Sequence, residues 1–133
     1  AFNLTGVTQH MEDHLRGLGI GFGLETRNMG QLCQFISDYD LAPEYIMTPL
    51  NPLGYQMAPS REEAENAMEN LSQVSRLIAI NILASGAIPL EKSLEYLARY
   101  WENLFSVTVA SSKPWRIQDN FTQLEKYSSS LGV

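Results

Sequence analysis

The chain carries a single cysteine, Cys33, and so has no disulfide framework and no cysteine-based metal site. Basic residues are few and scattered: nine Lys and Arg stand against fifteen Asp and Glu, for a net charge of −6. Phosphate-backbone binding needs clustered Lys and Arg, so no nucleic-acid partner is expected. No apolar run approaches the roughly 20 residues that cross a bilayer, so no membrane partner is expected either. No targeting pattern is present, which predicts a cytoplasmic protein. Sequons at Asn3, Asn70 and Asn120 are short motifs that recur by chance.

The 133 residues, 44% hydrophobic and 18% charged, have the size and composition of one α/β domain spanning 1–133. Leu4, Val7, Met11, Leu15 and Leu18 recur at spacings of three and four and predict a leading helix over 1–18. A strand-helix rhythm then runs four times over 19–127, with strands beginning near Gly19, Glu44, Leu77 and Phe105. Ser128 to Val133 reads as a frayed, Ser-rich tail. Alternating strands and helices imply parallel strands joined by right-handed crossovers, with a ligand site at the strands' carboxyl ends. Such domains usually open on a strand, so a leading helix that begins at Ala1 predicts a fragment of a longer chain.

The first strand alternates Gly19, Gly21 and Gly23 with Ile20, Phe22 and Leu24. Side chains alternate across a strand, so one face is all glycine, and bulky neighbours or a ligand must approach it. That face reaches Glu25 and Arg27 at the strand's end. Asn28 is the expected N-cap of the next helix, whose apolar stripe includes Met29, Leu32, Cys33 and Ile36. Cys33 reads there as a small buried hydrophobe. The second strand, Glu44 to Thr48, runs into a Pro- and Gly-bearing loop through Met57, a binding loop or a plug over the sheet end. Ser60 and Glu63 form a capping box.

The third strand places Ile78, Ile80 and Ile82 on one face and Ala79 and Asn81 on the other. The fourth places Phe105, Val107 and Val109 opposite Ser106, Thr108 and Ala110. The bulky faces are expected to meet helices. The small and polar faces then line a shared interior, which favours barrel geometry over a doubly wound sheet with two apolar faces. Pro89 and Pro114 suit helix starts.

The order of these signals resembles the C-terminal half of a (β/α)8, or TIM, barrel. The stretch Ile46 to Met57 (IMTPLNPLGYQM) resembles a loop of poorly characterised barrels distantly similar to aldo-keto reductases and aldolases. Ile80 to Ile88 and Val107 to Ser112 are similar to the last two strands of such barrels. The resemblance implies half of a TIM barrel with a parallel sheet, the alternative being a flavodoxin-like three-layer sandwich. It implies no catalytic set: no strand-borne lysine for Schiff-base aldolase chemistry is present, and the residues expected of an aldo-keto reductase fall largely in the other half.

A half barrel leaves two open edges and an uncovered inner face. The expected partner is therefore a second copy, in a homodimer, or a missing N-terminal half of the parent chain. Glu25 and Arg27 are the catalytic candidates, an acid/base and an anion anchor, unless they form an internal ion pair. Thr48, Asn51, Asn81, Ser85, Ser111 and Ser112 are the expected substrate-binding residues. Ser111 and Ser112 precede the last helix, where free backbone N–H groups hold phosphates. His10 and His14 share a helix face, but without a third ligand they read as a solvated polar face and no metal is expected. The implied function is part of an enzyme acting on a small metabolite, phosphorylated or carboxylated, with no cofactor identified. The alternative is a non-catalytic module that self-associates through its sheet face.

Overall fold

The computed structural model describes residues 4–131, over which helices and strands alternate. The order is α1 (Leu4–Gly17), β1 (Gly23–Glu25), α2 (Met29–Asp38), β2 (Tyr45–Pro49), α3 (Arg61–Ser72), β3 (Arg76–Ile80), α4 (Leu90–Leu97), β4 (Leu104–Val107) and α5 (Pro114–Leu131). All four strands are parallel and form one sheet in the order β1-β2-β3-β4. This is the expected α/β fold of four βα units. A flavodoxin-like sheet reverses its strand order at a switch point, and this sheet has no reversal.

Local chemistry sets the helix starts as the sequence predicts. Asn28 Oδ1 accepts from the Gln31 amide at 2.9 Å, and Ser60 Oγ accepts from the Glu63 amide at 3.2 Å. Pro114 is the first residue of α5, where its missing N–H costs no hydrogen bond. α5 runs to Leu131, through the serines expected to fray. Their hydroxyls donate back to the Glu125 and Tyr127 carbonyls at 2.6 to 3.1 Å; residues 132 and 133 of the predicted tail lie outside the described residues.

One core forms between the sheet and its helices. Ile46, Leu77 and Leu104 align in one row across the strands, and Thr48, Ala79 and Val107 align in the next. The apolar members of both rows join Met29 of α2, Met68 and Leu71 of α3, Leu94 and Leu97 of α4, and Leu124 of α5 in a single cluster. Cys33 packs against it, partly buried. With sequential strand order and right-handed crossovers, α2 to α5 cover one face and leave the other open.

That open face carries Tyr45, Met47, Ile78 and Ile80, partly buried, and the exposed Ser106. The expected faces of β3 are therefore exchanged: Leu77 and Ala79 lie under the helices, while Ile78 and Ile80 look outward. Both faces of the strand are apolar, so side-chain size does not tell which one is covered. In β4 a register irregularity opposite Leu77 and Ile78 pushes Phe105 out of the expected bulky row.

β1 is shorter than its glycine pattern predicts. Gly19 (φ +71°) closes α1, with the Ile20 amide donating to the Leu15 carbonyl, and pairing begins only at Gly23. A Cβ at Gly23 would lie 3.2 Å from the Tyr45 carbonyl oxygen, so the close approach of the β2 backbone accounts for that glycine.

Candidate functional site

The carboxyl ends of β3 and β4 open into unusual backbone. Asn81 turns the chain out of β3 with φ 51°, and Ala84, Ser85 and Gly86 follow with φ 47°, 57° and 85°. Three successive residues thus make one left-handed turn. Glycine enters that region freely, but Ala84 and Ser85 each cost roughly 1–2 kcal/mol there. The turn is held by Ala84 N donating to the Asn81 carbonyl and Gly86 N to the Leu83 carbonyl, both at 2.8 Å. Beneath it, the buried Ser93 hydroxyl of α4 donates to the Ile82 carbonyl at 2.6 Å. Strain of this kind gathers at ligand sites, because the surrounding structure must hold it.

Across from this turn, Ser111 Oγ accepts from the Lys113 amide at 3.2 Å and shapes the entry to α5. Between the two loops lies a cleft of about 820 Å³. Asn81, Ser85, Thr108, Ser111, Ser112, Arg116 and Asn120 supply its polar lining, and Ile80, Leu83, Ile88 and Val109 its apolar walls. The volume suits a small-molecule site. Arg116 is the one charged side chain among the described residues that line it. In a chain of net charge −6, the cleft is therefore locally cationic. It also opens at the amino-terminal turn of the 18-residue α5, whose dipole favours an anion.

The expected site residues divide into three groups. Asn81, Ser85, Ser111 and Ser112 come together in the cleft. Glu25 and Arg27 form an ion pair with each other at the end of β1, both about half exposed. Arg27 Nε also donates to Gln56 Oε1 at 3.0 Å, and Asn81 Nδ2 donates to the same oxygen. The pair is thereby joined to the cleft through Gln56, itself at φ 59°. Thr48 and Asn51 are not in the cleft. Thr48 is buried on the helix side of the sheet, beside Ala79.

Asn51 is fully buried and holds the loop after β2. Its Oδ1 accepts from the Tyr55 amide at 2.9 Å, and its Nδ2 donates to the Tyr55 carbonyl at 2.9 Å and the Asn81 carbonyl at 3.3 Å. Arg61 clamps the same loop by donating to the Pro52 carbonyl at 2.6 Å.

No protein-family model, curated protein or solved structure matches the chain. The site stands on its geometry alone. Sequence reasoning missed Arg116 and Gln56. A cation two residues after the helix-starting Pro114 was the available signal for Arg116; Gln56 had none beyond its place in the loop. Among the described residues, no three His, Cys, Asp or Glu side chains gather in a metal-binding group. The rings of His10 and His14 stack at 6.5 Å on the exposed side of α1, far in sequence from the cleft. Tyr96 is perturbed but lies elsewhere: burial, then its 2.6 Å hydrogen bond to Glu65, pushes its hydroxyl well above the usual tyrosine range.

Proposed function

We propose that the chain is the C-terminal half of a (β/α)8 barrel enzyme whose mouth binds a small phosphorylated or carboxylated metabolite. The observation that carries this reading is the cleft itself, in which Arg116, Ser111 and Ser112 converge with no carboxylate among the described residues that line it. A guanidinium presents a planar fork of donors to phosphate or carboxylate oxygens, and hydroxyls and the first amides of α5 complete such a shell. The position at the carboxyl ends of the last two strands is where barrels commonly hold phosphate. Glu25 and Arg27 form the internal ion pair that the sequence left as the alternative to catalysis, outside the cleft lining, and this reading gives neither a catalytic role. The open apolar sheet face (Met47, Ile78, Ile80) also supports the second reading, a module that associates through that face. A barrel half exposes the same face because its inner layer is incomplete.

Thermal melting with inorganic phosphate, or with citrate, tests the binding claim against chloride at equal ionic strength. A ligand at ten times its Kd stabilises the folded state by roughly 1.4 kcal/mol. The wild-type Tm should rise with phosphate or citrate, and Arg116→Ala should remove that rise. Glu25→Gln should keep it, because Glu25 lies outside the cleft lining. Equal melting in phosphate, citrate and chloride would remove the anion site.

A further inference from the structure

We infer that the ligand of the cleft carries two linked anionic groups, one met by Arg116 inside the cleft and the other by Lys113 at its rim. Trp115 is the positioning residue that seats both cations. The inference rests on the anion-site reading above and narrows its ligand class to diphosphates, bisphosphates and phosphorylated carboxylates.

Both cations are left unneutralised in a chain of net charge −6. Arg16, Arg27, Arg61 and Arg76 each pair with a carboxylate; among the described residues, Arg116 and Lys113 do not. The acid placed to take Arg116 along the helix is Asp119, three residues on. Its carboxylate instead accepts from Gln123 Nε2 at 2.8 Å.

The indole of Trp115 takes the place of an acid. The Arg116 guanidinium carbon lies 5.1 Å from its ring centroid and Lys113 Nζ lies 5.9 Å from it. Both distances are within the range of attraction between a cation and the negative face of a ring. Trp115 is the one ring among the described residues that carries two cations. It is also 62% exposed, so it serves no core. The two cations cannot lie further apart than those two distances laid end to end, and the flexible lysine stem adjusts the span to a small ligand.

The backbone fixes this pair against the cleft. The Lys113 carbonyl accepts from the Arg116 amide at 3.0 Å and the Ile117 amide at 3.3 Å, and the Lys113 amide donates to Ser111 Oγ at 3.2 Å. Ser111, Ser112 and Arg116 line the cleft, while Lys113 and Trp115 stand outside its lining. A ligand with one anionic group leaves Lys113 unused. With two linked groups, binding of the first makes the second contact intramolecular, which raises affinity without a second loss of free motion.

Calorimetric titration of the full 133-residue chain with inorganic phosphate and inorganic diphosphate tests the inference, at equal ionic strength and without divalent cations. Diphosphate should bind about tenfold or more tightly than phosphate. Lys113→Met should remove most of that preference and leave phosphate binding in place. Lys126→Met, the same loss of charge elsewhere on α5, should keep the preference. Trp115→Ala should weaken diphosphate binding by about two- to fivefold, and Trp115→Phe, which keeps a ring, should restore most of it. Equal affinity for the two anions, a preference that survives Lys113→Met, or wild-type binding by Trp115→Ala would overturn the inference while the anion site stood. Binding of neither anion would remove both.

Discussion

At the residue scale, buried polar groups do most of the positioning near the cleft. Asn51 satisfies the Tyr55 amide and carbonyl and reaches the Asn81 carbonyl, so it ties the loop after β2 to the end of β3. Asn51→Ala should cost about 1–3 kcal/mol in chemical denaturation, since it strands buried backbone groups. A loss of only a few tenths would show that the loop holds without it. Tyr96 gives a pH-dependent contribution. Its folded-state pKa lies above the unfolded value of about 10, so its stabilisation is fully present below pH 10 and falls as pH rises further. Tyr96→Phe should flatten the decline of stability above pH 10; Tyr100, raised by burial and by Glu65, leaves a smaller remainder. An unchanged alkaline slope would place the titration elsewhere. Residue types were legible in sequence where the physics is local, as at Asn28 and Ser60. Thr48 and Asn51 lie buried outside the cleft, and the sequence did not tell this because a polar side chain at a strand end serves a core or a cleft equally well.

At the element scale, the left-handed turn at Ala84, Ser85 and Gly86 is the feature that best separates a binding loop from a plain connection. Ser85 is exposed and lines the cleft, so its backbone strain is not repaid by packing. Ser85→Gly should be neutral or stabilising by up to about 1 kcal/mol, because relief of strain opposes the added freedom of the unfolded chain. Ser85→Val should destabilise by more than that, since a β-branched residue fits poorly at positive φ. Urea unfolding of the three proteins checks the order, and a Val variant as stable as the Gly variant would contradict the turn. Helix starts were readable because caps and prolines act within one turn. The sheet faces were not. In β3 both faces are apolar, and in β4 the register irregularity displaces Phe105, which no alternation of residue size announces.

At the scale of the whole molecule, parallel strands in sequential order put every crossover helix on one side and leave an apolar face open on the other. The strand-helix rhythm made that architecture legible before any coordinates. The cleft was half legible: strand ends pointed to Asn81, Ser85, Ser111 and Ser112, but the cation that gives the site its sign came from the first turn of α5. The central claim is that this cleft takes an anion. Mapping backbone amide chemical shifts during titration with inorganic phosphate tests it most directly. Saturable shifts confined to the Ser85–Gly86 turn, Ser111, Ser112 and the first turn of α5 through Arg116 are the predicted result. Shifts that fail to saturate, or that spread over exposed Lys and Arg with the cleft unmoved, would contradict it.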